Sequence, residues 1–165
     1  MDKALTIAQW LVAASFPLTM AYMAISDFRT LQIPNWASVF VAAAFLPAAL
    51  LGGMEPAALA KHYGVGFALM IGGALLFARG LIGGGDAKML AAGGVWFGAG
   101  GLVPYLTLVA LLGGAVGLAV LVMRKLPVPK PAWLDGNAAE GRAAPYGVAI
   151  GLAAVILFSR NPLPP

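Results

Sequence analysis

The chain contains no cysteine. That excludes disulfides, thiolate catalysis, Cys-ligated zinc and Cys-ligated iron–sulfur clusters. A single histidine, His62, leaves no basis for a His-based metal site or a His-containing triad. Charge is also scarce. Only 10% of the residues are Asp, Glu, Lys or Arg, against about 25% in an ordinary soluble domain. What is abundant is apolar: 61% of the 165 residues, with a mean hydropathy of +0.91. A soluble fold of this length could not bury that much apolar surface. The expected fold class is therefore all-α, a polytopic membrane protein forming one transmembrane domain over residues 1–165. Membrane lipids are its expected surroundings. The net charge of +4 does not point to nucleic acid, because the basic residues lie in short connections and form no basic patch.

A bilayer-crossing helix needs about 20 mostly apolar residues. On that measure the sequence predicts a bundle of about six transmembrane helices. Ala4 to Ser26 is the first, with Pro17 predicted to kink it. It exceeds the 7–15 residues or so of a signal-peptide core and so reads as a span. Asn35 to Leu51 is the second, opened by Ile33-Pro34 and closed by Gly52-Gly53. Tyr63 to Ala78 is the third. Ala87 to Phe97 and Leu102 to Met123 are the fourth and fifth, separated by Gly98-Ala99-Gly100-Gly101. Pro145 to Phe158 is the sixth. Gly94/Gly98, Gly113/Gly117 and Gly147/Gly151 are small-residue pairs that allow close helix packing. Trp10, Tyr22, Trp36, Trp96 and Tyr105 read as interfacial aromatics. His62, beside Lys61, reads as a solvated boundary residue.

With six spans, the connections after the first, third and fifth share one side. They hold Arg29, Arg79, Lys88, Arg124, Lys125, Lys130 and Arg142, against Lys3, Lys61 and Arg160 on the other. Seven against three predicts the first side as cytoplasmic. Asp27 closes the first span and Asp86 follows the third. Two crossings separate them, so both return to the same membrane face.

An ionised aspartate near the bilayer is costly, and such residues are functional candidates. Two carboxylates brought together cannot both ionise readily and share a proton. That state suits peptide hydrolysis, with one Asp taking a proton from water and the other polarising the scissile carbonyl. Gly83, Gly84 and Gly85 precede Asp86; lacking Cβ atoms, they can take positive φ and let another backbone approach. Lys88 reads either as a positive-inside anchor or as a group that tunes local charge or contacts a substrate backbone. Asn35 reads as the cap of the second span or as a hydrogen-bonding group of the site, with capping preferred. Arg29 reads as an anchor. The Pro-, Gly- and charge-rich loop 127–144 reads as a solvated connector in which Asp135 and Glu140 are available to a basic partner.

Asp27-Phe28-Arg29-Thr30-Leu31-Gln32-Ile33-Pro34-Asn35 resembles the Asp-x-x-x-x-x-Ile-Pro-Asn element of the type IV prepilin peptidases. Gly83-Gly84-Gly85-Asp86-Ala87-Lys88 is similar to their Gly-x-Gly-Asp-x-Lys element. Pro145 to Gly151 resembles the motif that opens their last helix. The three stand in the family order and cover nearly the whole chain. The resemblance implies an intramembrane aspartic endopeptidase of the bacterial inner membrane, with Asp27 and Asp86 catalytic and the active site facing the cytoplasm. Its partner would be a membrane-inserted prepilin, whose short basic leader is cut after a glycine just before the apolar helix. No metal or other cofactor is expected. Longer family members carry paired cysteines in a cytoplasmic insertion and also N-methylate the new pilin end. With no cysteine and no room for that insertion, the chain resembles the short branch serving Flp-type pili of tight-adherence systems, and methyltransferase activity is not expected. A small proton- or cation-coupled transporter or channel using the same two acids is the main alternative. A structural subunit of a secretion complex and a presenilin-like protease are the others.

Overall fold

A computed structural model describes residues 3–127, 129, 134 and 144–160 of the chain. Every extended element is helical: α1 (Lys3–Thr30), α2 (Asn35–Leu51), α3 (Pro56–Ala78), α4 (Gly84–Lys125) and α5 (Tyr146–Arg160). Three of them, the helical stretches Ile7–Thr30, Pro56–Ala78 and Gly84–Lys125, are long and apolar enough to cross a membrane by length and composition. α2 and α5 are shorter apolar helices. Large side chains such as Leu18, Phe67, Val103 and Leu111 are exposed around the bundle. Helices satisfy their own backbone groups, so an apolar outer surface of this kind suits lipid. The protein is a membrane protein.

Among the described residues five helical elements stand where the sequence predicts six spans. The difference lies in α4, whose 42 residues take in the fourth and fifth predicted spans without an intervening loop. The predicted break is nevertheless there. Gly98 adopts φ 57°, ψ −165° inside the element, a conformation essentially restricted to glycine. In an unbroken helix residues 93 and 105 would lie about 18 Å apart. Instead the Tyr105 hydroxyl lies where a Cβ on Gly93 would stand, and the Tyr105 ring is 4.7 Å from that of Phe97. The chain therefore folds back at Gly98, and residues 84–97 and 99–125 form two arms of a helical hairpin.

Other boundaries shift for local reasons. α1 runs past Ser26 to Thr30, so Asp27 sits on the helix rather than after it. α3 begins at Pro56, seven residues before the predicted start. Pro56 takes the first helical turn, where its missing N–H costs nothing, and Lys61 and His62 are carried inside the helix. Pro17 lies within α1.

α4 is the hub, packing on α2, α3 and α5, while α1 packs on α2 and α5. The core centres on Trp96, which is buried and stacks on Phe16 at 4.6 Å. Phe45 meets it edge-on at 5.5 Å, and its indole N–H donates to the Val41 carbonyl at 2.8 Å. Phe158 of α5 packs on Phe16 at 5.3 Å. Four helices are thus pinned through one aromatic cluster, some ten residues or about 15 Å along α4 from Asp86. Trp96 and Tyr105 are core residues and not interfacial aromatics, because the fold-back at Gly98 places both between helices. Trp10, Tyr22 and Trp36 are exposed. His62 is not a solvated boundary residue either. Its Nδ1 is 2.8 Å from the Val95 carbonyl, and its ring stacks on Phe45 at 4.9 Å.

The Gly98→Ala variant is expected to lose stability. Its Cβ would meet the His62 ring at 2.6 Å from Nε2, and the backbone conformation adds about 1–3 kcal/mol of strain. Thermal unfolding in detergent should show a lowered midpoint, while Gly100→Ala, in open space on the same turn, should not.

Candidate active site

Asp27 and Asp86 come from different helices and meet at one end of the bundle. Both line a cavity of about 540 Å³ with Leu31, Gly80, Gly83, Ala144 and Tyr146 among its walls. Both also line an adjoining cavity of about 310 Å³ walled by Gln32, Ile33, Asn35 and the three glycines Gly83, Gly84 and Gly85. The two carboxyl groups interact electrostatically. Asp27 is only 5% exposed.

The chain that carries Asp27 turns sharply just after it. Leu31 takes φ 52° and its N–H donates to the Asp27 carbonyl at 2.9 Å. A leucine in the left-handed region is strained. The turn is held by the Ser26 hydroxyl donating to the Gln32 carbonyl at 2.8 Å, and by Thr30 donating to the Ser26 carbonyl at 2.9 Å. Pro34 then opens α2 in extended conformation. Ile33, between turn and proline, is delivered into the bundle. A Cβ on Gly85 would stand 3.0 Å from Ile33 Cβ, and one on Gly147 would stand 2.8 Å from Ile33 Cδ1. Ile33 is the spacer against which α4 and α5 both close.

Each carboxylate faces the start of a helix, where backbone N–H groups lack intrahelical partners and the helix dipole favours negative charge. Asp86 lies in the first turn of α4, and its Oδ2 accepts from the Gly83 N–H at 3.2 Å. Asp27 faces the start of α5, and its Oδ2 accepts from the Gly147 N–H at 2.8 Å. The amides of Gly147 and Val148 both act on Asp27, and that of Gly147 acts on Asp86 as well. Asp86 Oδ1 is buried and has no hydrogen-bond partner among the described residues. One oxygen of Asp86 is therefore oriented by backbone, while the other has no partner among the described residues.

The glycines earn their place through space, not positive φ. Gly83 is extended at φ −71°, ψ 146°, and Gly84 and Gly85 are helical. A Cβ on Gly83 would stand 2.8 Å from Asp86 Oδ2. Asn35 does not cap α2. Pro34 occupies the cap position without a side-chain bond, and Asn35 Oδ1 accepts from Lys88 Nζ at 2.8 Å. Lys88 lines neither carboxylate cavity; that bond ties the first turn of α4 to the first turn of α2. Asp135, Glu140, Lys130 and Arg142 lie outside the described residues. Among the described residues no group of three His, Cys, Asp or Glu side chains converges.

Over residues 14–118 the sequence matches the type IV leader peptidase family. The matched stretch is more than half of the chain and holds Asp27, Ile33, Pro34, Asn35 and the Gly83–Lys88 element. The chain belongs to the type IV leader peptidase family. Membership implies a peptidase acting on prepilin. No curated protein and no solved structure gives a match.

Gly147 lies beyond the stretch matched to the leader peptidases. The sequence offers one signal for it, the Pro145-Tyr146-Gly147 opening of the last helix, but nothing in that motif says that its amide reaches Asp27 across 120 residues. Gly147→Ala would put a Cβ 2.8 Å from Asp27 Oδ2 and 2.8 Å from Ile33 Cδ1. Overpacking of this kind costs about 1–3 kcal/mol, and the displaced carboxylate loses its amide. The variant is expected to insert but to process its substrate at least about tenfold more slowly, since a lost hydrogen bond to a charged group is worth about 1.5–3 kcal/mol. Ser159→Ala, on the exposed far end of α5, should process normally.

Proposed function

We propose that the chain is an aspartic endopeptidase that removes the leader of Flp-type prepilins at the cytoplasmic face of the bacterial inner membrane. Asp27 and Asp86 are its catalytic pair. One observation carries the reading: two carboxylates from separate helices share both cavities, each aligned by an amide, with Asp86 Oδ1 free of any described partner.

In this mechanism the pair holds one proton. The ionised carboxylate takes a proton from a water that lies between the two acids. The hydroxide so formed attacks the scissile carbonyl carbon, and the protonated carboxyl donates to the carbonyl oxygen. When the tetrahedral intermediate collapses, the C–N bond breaks and a proton passes from the carboxyl pair to the leaving amine. The products are the leader's carboxylate end and the pilin's new amino end. Gly83, Gly84 and Gly85 line the wall of the smaller cavity, which lets a substrate backbone approach closely. The excess of basic residues on the same side as the two acids supports a cytoplasmic location.

A transporter reading has less in its favour. Its acids would sit on broken helices near the midplane, whereas Asp27 and Asp86 stand within a turn or so of helix ends.

Co-expression with a Flp-type prepilin tests the assignment. The wild-type chain should shorten the precursor. Asp27→Asn and Asp86→Asn should each insert at normal levels and slow processing by about 100-fold or more, the range for loss of a general acid or base. Undiminished processing by either variant would remove that residue from the catalytic pair.

A further inference from the structure

A second concavity stands beside the carboxylates. It holds about 620 Å³ between α2, α3 and α4, with Val39, Phe67, Met70, Ala91 and Ala92 among its walls. Its shape follows from how three helices meet. α2 and α3 both pack on α4 but scarcely on each other. They are held together at one level, where the Tyr63 hydroxyl donates to the Ala42 carbonyl at 2.9 Å and Phe45 packs on Tyr63. The hollow lies between them from that level towards the end that carries Asn35 and Lys88. α4 closes the floor with small residues, and Gly66 lets α3 sit directly on Val95. The result is a wedge bounded at one end by Tyr63 and at the other by Lys88. It runs from residue 35 to residue 42 along α2, about 10 Å or two helical turns.

The wedge adjoins the carboxylate site through a shared residue. Asn35 lines both the smaller carboxylate cavity and the wedge, and Lys88, bonded to Asn35, lines the wedge. A comparable hollow between α1 and α5, walled by Ile25, Phe28, Val148 and Leu152, shares no residue with either carboxylate cavity. Of these two apolar hollows, the wedge is the one that shares a lining residue with a carboxylate cavity.

A substrate whose scissile bond lies just before an apolar helix must change surroundings at that bond. Its leader side needs a polar cavity and its other side needs hydrocarbon. We propose that the α2–α3–α4 wedge seats the first turns of the substrate's apolar segment, and that the Lys88–Asn35 pair marks the crossing point from polar cavity to wedge. This rests on the peptidase reading above. Lys88 has three N–H donors, and Asn35 takes one of them. The others are available to carbonyls of a substrate chain that is extended at the cut and so leaves its own backbone unbonded. The pair is thereby a positioning element: it fixes where the extended stretch ends and the apolar helix begins, and so which peptide bond reaches the acids.

Photocrosslinking separates the occupants. Benzoylphenylalanine in place of Phe67, an exposed wall of the wedge, is expected to capture full-length prepilin in the Asp86→Asn background, where the precursor stays intact. The same probe in place of Leu152, in the α1–α5 hollow, is expected to capture lipid. In the otherwise wild-type chain, Val39→Trp narrows the wedge from an exposed position. It should raise KM for full-length prepilin about tenfold, an effect of about 1.4 kcal/mol, with kcat unchanged. Cleavage of a short peptide holding leader and scissile bond but no apolar segment should not change, and Leu111→Trp, an exposed position outside the wedge, should behave as wild type. If the wild-type chain processes prepilin but Phe67 captures only lipid or a second copy of the chain, or Leu152 captures the substrate, the wedge assignment falls and the peptidase reading stands. The wedge assignment also falls if Val39→Trp slows both substrates equally or neither. If the wild-type chain processes no prepilin, both fall together.

Discussion

The hydrogen bond from the Gly147 N–H to the Asp27 carboxylate is the contact on which the site depends. It ties the C-terminal helix to the N-terminal one at the point where Asp86 arrives from a third. The approach is possible only because residue 147 has no side chain and because Ile33 fills the space that remains. A buried carboxylate without such a partner would be expensive. With the amide in place the same burial becomes orientation: the oxygen bonded to backbone fixes the carboxyl plane, and the rest of the group faces Asp86 and the cavity. α4 supplies the mirror of this arrangement within its own first turn. Two helix starts thus stabilise the charge of an acid pair that could not otherwise sit in an apolar bundle.

The rest of the fold keeps those starts in register. The aromatic cluster around Trp96 binds α1, α2, α4 and α5 about 15 Å from the acids. The fold-back at Gly98 returns the chain so that its second arm supports α5, with Gly113 lying under the Tyr146 ring. Lys88 and Asn35 join α4 to α2 at the other edge of the site. None of these contacts touches the two carboxyl groups, and each fixes a helix that borders their cavities.

Much of this was legible in the sequence, and the limits have physical causes. Asn35–Leu51 was bounded correctly because Pro34 and the Gly52-Gly53 pair punctuate it on both sides. The glycine at 98 reads as a break, and the structure places the reversal there in a single residue with no intervening loop. The meeting of Asp27 and Asp86 at one end followed from counting crossings, but their sharing of two cavities depends on packing that no spacing reveals. Gly83 to Gly85 read as free to take positive φ and as open to close approach; none takes positive φ, and the room at Gly83 and Gly85 is taken by Asp86 and Ile33. Asn35 was read as a cap because asparagine before an apolar run favours that position, and a lysine 53 residues away outcompetes it. His62 and Trp96 were misplaced for one reason: polarity suggests an interface, whereas each finds a backbone carbonyl inside the bundle.

The convergence of the two acids is open to direct measurement because the chain has no cysteine of its own. With Asp27→Cys and Asp86→Cys combined, mild oxidation in native membranes should protect both thiols together from maleimide labelling. Asp27→Cys combined with Gly53→Cys, at the opposite end of α2, should remain fully labelled. Full labelling of the first pair under conditions that oxidise neighbouring thiols would contradict the account, because the two side chains would then not meet.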